Sequence, residues 1–230
     1  MNQQPPEKQN LQYPGLLQVH SIFPTIQGEG PFTGRRAVFV RLAGCNLQCP
    51  LCDTEYTAGR RGMSVPEILD EVAFSIMGTP RDPNPLVVIT GGEPFRQNLS
   101  ELVQHLLDAG YQVQIETNGT LYQELPFDKI TVVCSPKTGT VSRKLQPHVS
   151  ALKYVLHADR LMPDGLPTSA LDHSAVPYLA RPWPDFKGTV YVQPVDIPGS
   201  GTRHLDATVE SVLDNGYTLC LQTHKIIGVE

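Results

Sequence analysis

No run of apolar residues in the chain approaches the roughly 20 needed to cross a bilayer, so no membrane contact is expected. Nor is there a basic excess: 18 Lys and Arg stand against 23 Asp and Glu, for a net charge of −5. Without a basic run the chain is a poor holder of DNA or RNA by their phosphates, so no nucleic-acid partner is expected. It can still serve a nucleic-acid pathway by acting on a small precursor. The opening "MNQQPPEKQNLQYPG" has no apolar core of a secretory signal, so a cytoplasmic protein is expected. Residues 1–15 read as a loose polar tail. Internal repeats and low-complexity tracts are missing too. The five cysteines are odd in number and three are crowded together, which does not suit a disulfide framework. In a reducing cytosol such a crowd more often holds metal. What remains is ordinary for a globular protein: 230 residues, 40% hydrophobic and 18% charged. That suffices for one domain over 1–230 with a substantial core.

Short apolar runs alternate with helical patterns. "AVFVRLAG" (37–44) reads as a buried strand. "SVPEILDEVAFSIMG" (64–78) reads as a helix; Ser64 with Glu67 makes a capping box, and Pro66 falls in the tolerant first turn. "LVVITGGEP" (86–94) is a strand running into a glycine turn, and "NLSELVQHLLDAG" (98–110) an amphipathic helix closed by Gly110. Strands are expected within 111–119, 129–137, 151–159, 189–196 and 217–225, and a helix near 204–215 ahead of Gly216. The proline-rich 160–187 reads as an irregular insertion on one rim. This order argues for βαβ units and a parallel sheet. Six to seven mostly parallel strands with only three convincing helices are too few for a closed eightfold barrel. The expected fold is α/β, an open, partial (β/α) barrel with reduced helices. Sites in such sheets gather at the C-terminal strand ends. Here the strands start apolar and finish polar, in "GCNLQC", "TGGEP", "ETNG", "SPK", "QPVD" and "THK".

The sharpest of these ends is "GCNLQCPLCDT" at 44–54, which places Cys45, Cys49 and Cys52 within eight residues; the nearest other cysteine is Cys134. A [4Fe–4S] cluster that only carries electrons has four cysteine ligands. Three leave one iron open to a small molecule. Zinc is the rival, but structural zinc wants four ligands and comes as two spaced pairs. No second pair exists here, so His20 or His224 would have to complete the set by folding.

Cx₃Cx₂C after one strand, with "TGGEP" after the next, resembles the radical S-adenosylmethionine (SAM) superfamily. A closer resemblance covers nearly the whole chain. "FPTIQGEG" (23–30), "FTG" (32–34), "FVRLAGCNLQCPLCDT" (39–54), "ITGGEP" (89–94), "IETNGT" (115–120), "SPK" (135–137) and "LQTHK" (221–225) together resemble the 7-carboxy-7-deazaguanine synthases. One departure is Leu51, where the family often has tryptophan; an aromatic face is lost, but no ligand. The resemblance implies a barrel of the radical SAM type and a carbon–nitrogen lyase that contracts a ring. It would convert 6-carboxy-5,6,7,8-tetrahydropterin to 7-carboxy-7-deazaguanine with loss of ammonia, a step towards queuosine in tRNA. SAM would chelate the open iron and be cleaved to a 5′-deoxyadenosyl radical. That radical would take hydrogen from C6, and SAM would then be regenerated. Mg²⁺, an external one-electron reductant of the flavodoxin or ferredoxin kind and a homodimer are further implications.

The resemblance also assigns residues. Cys45, Cys49 and Cys52 would bind the cluster, and Thr54 would bind Mg²⁺, an ion that prefers oxygen ligands, with Asp53 assisting. Ile26, Gln27 and Gly28 match a substrate-binding loop, with Glu29 set to pair with the guanidine-like pterin edge; the plain alternative is a turn. Arg41, mid-strand, needs a partner. The substrate carboxylate fits it in bidentate fashion, and an internal salt bridge is the alternative. Thr90 would touch substrate, and Gly92 would bring backbone against SAM's amino group. Glu93 is placed with the cofactor, its alternative being a turn-fixing carboxylate. Glu116 ends its strand toward the same rim, placed as a catalytic residue that would bind the pterin edge. Ser135, Pro136 and Lys137 match a SAM-binding segment, joined by Gln193 and, more weakly, Asp196. His224 would meet the substrate carboxylate or move a proton, unless it is only a structural hydrogen-bonder. Cys134 and Cys220 read as packing cysteines. Two other functions share part of the pattern: a radical SAM activase acting on a partner protein, and a metal-binding module without turnover.

Overall fold

The computed structural model describes residues 2–77, 84–172 and 178–229. One sheet of nine strands organises them, in the order β3-β1-β2-β4-β5-β6-β7-β8-β9. In chain order these are β1 (Leu16–Ile26), β2 (Arg36–Leu42), β3 (Arg61–Ser64), β4 (Leu86–Gly91), β5 (Gln112–Thr117), β6 (Ile130–Cys134), β7 (Ala151–Leu156), β8 (Thr189–Pro194) and β9 (Thr218–Leu219). From β2 to β9 every neighbouring pair is parallel. Only β1 runs antiparallel, to both β2 and β3. Among the described residues β3 and β9 end the sheet without pairing to each other, so the barrel is open, as expected.

Among the described residues four α-helices accompany the sheet: α1 (Val65–Ile76), α2 (Ser100–Asp108), α3 (Arg203–Asn215) and the short α4 (Thr223–Ile227). The Ser64 backbone N–H donates to the Glu67 carboxylate at 2.7 Å, which fastens the start of α1. Helix α1 buries Val65, Ile68 and Val72, and α2 buries Leu102, Val103 and Leu106. These stripes meet Val38, Val40, Val87, Ile89, Val113 and Ile115 from the sheet in one apolar core. Each such side chain contributes about 1.5–3 kcal/mol on full burial. The two-residue period of a strand then sends the alternate residues to the opposite, concave face. Arg41 on β2, Thr90 on β4, Glu116 on β5, Lys153 on β7 and Gln193 on β8 all lie there, near the C-terminal strand ends. Arg41 and Thr90 are direct register partners.

Three expectations change. First, the sheet has nine strands where six to seven were expected, β1 and the short β3 being the additions; β1 is the longer of the two. A register shift between Val19 and Ser21 breaks its alternation, and Pro24 disguises it further. The proline is tolerated because β3 covers only Leu16–Val19, leaving that side of β1 unpaired at Pro24. Second, 217–225 is not one strand: β9 stops at Leu219 and α4 takes up Thr223–Ile227. Third, the N-terminal stretch is not loose in the part described. The Glu7 N–H donates to the Cys45 carbonyl at 2.7 Å, and the Asn10 N–H to the Arg96 carbonyl at 2.7 Å. The described part of 160–187 has no helix or strand of its own beyond Arg160, and Leu166, Ala170, Leu179 and Ala180 are buried in the main core; Gly78 and residues 173–177 lie outside the described residues.

Candidate active site

The polar concave face opens into a cavity of about 460 Å³. A wider recess of about 980 Å³ adjoins it, between the N-terminal stretch, the cysteine loop and 195–198. The smaller cavity is the candidate site, because side chains able to do chemistry converge there from six strand ends and from α4.

Its rim is the cysteine loop. Cys45 and Cys49 are buried and Cys52 half-buried, all as free thiols. Burial pushes the Cys45 thiol up to about 12, against the Leu47 N–H that points at its sulfur. Cys49 and Cys52 are raised by burial too, with the Lys137 ammonium opposing in both. Among the described residues, no three His, Cys, Asp or Glu side chains converge on a single-ion centre. A lone zinc would need its sulfurs about 3.8 Å apart around bonds of about 2.3 Å. A cuboidal cluster instead asks each thiolate to reach a different iron, which a spread trio fits. Each thiol must lose its proton to do so.

Two distant stretches meet behind this loop. The Glu93 N–H donates to the Gly44 carbonyl at 3.0 Å. A Cβ at Gly92 would come within 2.3 Å of that same carbonyl oxygen. Only glycine lets "TGGEP" lie against the cysteine loop with its backbone bared to the cavity. Glu93 itself does not line the cavity. Its fully buried carboxylate accepts from the Phe95 N–H, the Thr117 hydroxyl and the Asn118 N–H at 3.0, 2.7 and 2.7 Å. Burial pushes it up to about 7 in spite of those donors. It ties the exit of β4 to that of β5, the geometry of the turn-fixing alternative.

The floor carries charge. The Lys153 ammonium is paired with Glu29 and stands 3.8 Å from Glu116. Burial opposes charge on both Glu29 and Lys153. For Glu29 the adjacent Lys153 outweighs it, helped by Gln222 and His224, and holds the carboxyl below the usual glutamate range. Lys153 is in turn held above the usual lysine range, Glu116 and Glu29 overcoming its burial. Gln27 and Gln114 each donate to Glu116 Oε1 at 3.0 Å. Gln193 donates to Glu29 at 3.3 Å, while its own Oε1 is buried without a partner among the described residues. Such an orphaned acceptor at a cavity wall suits a ligand's donor. Arg41 lies over Phe23; among the described residues no carboxylate pairs with it, so the internal salt bridge is not seen.

The remaining expected residues divide. Thr54, Ser135, Lys137 and His224 line the cavity. Lys137 donates to Ser135, to its carbonyl at 3.0 Å. Burial lowers the His224 imidazole below its ordinary value, leaving it neutral at neutral pH. Ile26, Gln27, Gly28 and Pro136 do not line the cavity. Gly28 instead seats the histidine: a Cβ there would fall 1.9 Å from His224 Nδ1. Lys153 was missed, although a lysine inside the apolar "ALKYVL" carries the same signal as Arg41. Also missed was Lys225, whose ammonium joins Asp53 and Asp196 at 3.2 and 3.0 Å across the cavity mouth. That pairing joins three separate stretches, and no local pattern announces it.

Known proteins bear on this geometry. A family model described as a 4Fe-4S single cluster domain matches residues 26–137. A 7-carboxy-7-deazaguanine synthase of Rhodospirillum rubrum is 44% identical over 223 residues, 93% of this chain and 92% of its own. One of Rickettsia prowazekii is 39% identical over 222 residues, 93% of this chain and 89% of its own. The crystal structure of QueE from Escherichia coli superposes with a TM-score of 0.68, covering 90% of this chain and 93% of that one; at 22% identity it speaks for the fold. Neither the activase nor the turnover-free module accounts for such identity along the whole length. The chain belongs to the 7-carboxy-7-deazaguanine synthase family.

Proposed function

We propose that the chain catalyses the reaction for which its family is named. As a radical SAM carbon–nitrogen lyase it forms 7-carboxy-7-deazaguanine from 6-carboxy-5,6,7,8-tetrahydropterin with loss of ammonia. The observation that carries this is one cavity where three kinds of group meet: Cys52 of the thiol trio at the rim, with Cys45 and Cys49 buried in the same loop, a guanidinium that no carboxylate among the described residues pairs with on the wall, and paired carboxylates on the floor. When bound at the trio, a [4Fe–4S] cluster with SAM supplies one-electron chemistry that ends in hydrogen abstraction at the substrate's C6.

The chain's own residues bind and orient. Arg41 takes the pterin carboxylate in a bidentate pair. Glu29, kept ionised by Lys153, and Glu116 accept from the N–H edge of the heterocycle, and Thr90 supports its other side. The bared backbone at Gly92 and the orphaned Gln193 oxygen receive SAM's donors, with Ser135 and Lys137 beside its carboxylate. Neutral His224, able to accept a proton, faces the substrate carboxylate. The Thr54 hydroxyl, 3.3 Å from Asp53, supplies an oxygen ligand for Mg²⁺. Five free thiols suit a reducing cytoplasm. An external one-electron donor and a homodimer complete the reading by family likeness alone.

The test is anaerobic reconstitution with iron and sulfide, then incubation with SAM, Mg²⁺, dithionite and the carboxytetrahydropterin. Mass analysis should find 7-carboxy-7-deazaguanine and ammonia, with SAM not consumed in proportion. A loaded protein that cleaves SAM but leaves the pterin intact would refute the substrate; one that takes up no iron would refute the site.

A further inference from the structure

Beneath Cys45 lies a buried charge that the site chemistry does not use. Arg96 follows the glycine turn in "TGGEPFR" and is 6% exposed. Its Nη2 donates to the Ala43 carbonyl at 2.8 Å. The guanidinium fills the space over Gly44, where a Cβ would come within 2.6 Å of Nη2. Its Nε is buried without a hydrogen-bond partner among the described residues. The fork is thus wedged against the residue that precedes the first thiol.

The N-terminal strap, residues 2–10, brings the counter-charge. Asn2 Nδ2 donates to the Cys49 carbonyl at 3.2 Å. Gln4 donates to the Thr54 carbonyl at 2.9 Å and accepts from the Tyr56 N–H at 2.8 Å. Pro6 bridges in parallel to Cys45. These contacts deliver the Glu7 carboxylate to Arg96 at 3.2 Å and to Arg60 at 2.7 Å. The Glu7 carboxylate is thus shared between two guanidinium groups.

We propose that Arg96 and Glu7 set the reduction potential of the cluster bound by Cys45, Cys49 and Cys52, the cation favouring the reduced state and the strap's carboxylate partly cancelling it. This rests on the reading of those cysteines as cluster ligands. Reduction adds one negative charge to the cluster. A nearby buried cation stabilises that added charge and a nearby anion opposes it, because the low-dielectric interior screens neither well. Arg96 is the better buried of the two, and Glu7 is divided between two arginines.

The experiment is an EPR-monitored potentiometric titration of the anaerobically reconstituted protein, with iron and sulfide counted in each sample. Glu7→Gln should raise the midpoint potential and Arg96→Gln should lower it. Each change is expected to be about tenfold in the reduction equilibrium, or about 59 mV for one electron. Arg96→Lys should stay near the parent. Shifts of the same sign in E7Q and R96Q, or none, would overturn the proposal, because a merely structural role has no reason to obey charge. Should R96Q not hold its cluster, E7Q decides alone, and a potential that does not rise is fatal. A parent protein without any cluster refutes the cysteine reading instead, and iron counting separates the two failures.

Discussion

At the scale of single residues, the floor lysine shows how a charge inside a fold is held in place. Lys153 has two carboxylate neighbours and little solvent. Removing one partner of such a buried set leaves like charges facing each other. Lys153→Met is expected to cost about 3 kcal/mol of unfolding free energy at neutral pH. The pH dependence has a definite sign. Glu29 is held below its ordinary value by Lys153. Its stabilisation is therefore present above the ordinary glutamate range and is lost as pH falls through the lowered folded value. Without Lys153 that depression disappears, and protonation relieves the strain, so the K153M deficit should shrink towards acid. Urea unfolding of both proteins across pH 4 to 8 measures this, and a deficit that does not change with pH would show that Lys153 acts by packing. Lys153 was legible in principle, as a charge on the wrong beat of an apolar strand. What that charge meets was not, since Glu29 is 124 residues away in the chain.

Elements add a second kind of constraint, in which loops touch only because strands place them. Strands β2 and β4 are parallel neighbours, so the cysteine loop after one and the glycine loop after the other emerge side by side. Gly92 is where they meet, its absent Cβ leaving room for the Gly44 carbonyl. Gly92→Ala is expected to push the loops apart, at the cost of about 1–3 kcal/mol that overpacking incurs. SAM binding to the reconstituted protein, followed by calorimetry, should weaken about tenfold or more. Unchanged affinity with full iron loading would mean that the two loops can separate freely. The motifs themselves were readable as glycine and cysteine patterns at strand ends. Glu93, in the same turn, was not: it could equally have faced outward. Three inward donors, two of them from β5 and the turn after it, decide its direction.

Across the whole molecule, the core and the site occupy opposite faces of one sheet. The apolar cluster under α1 and α2 contains neither the three loop thiols nor the floor charges. The fold should therefore outlast the metal. Stripping the reconstituted protein with chelator and dithionite is expected to leave far-UV circular dichroism and cooperative melting in place. Collapse of either would make the cluster part of the fold. Reloading should be pH-dependent in one direction. Burial raises all three thiols, Cys45 to about 12, and iron must displace their protons. Iron uptake at fixed iron and sulfide should thus rise from pH 6.5 to 8.5, and a flat profile would contradict thiols held protonated in the free site.

The sequence by itself determined the strand and helix alternation, the parallel sheet and the chemistry of its ends, because periodicity, caps and motif spacing act over a few residues at a time. It could not reveal β1, whose bulge breaks the beat. Nor could it reveal that residues 2–7 are bound to the cysteine loop. Only the tertiary structure decided which cation lies between which carboxylates, which glutamate turns inward, and which arginine lies under the first thiol. Those outcomes depend on burial and on partners far apart in the chain, and a buried charge takes whatever partner the sheet brings within reach.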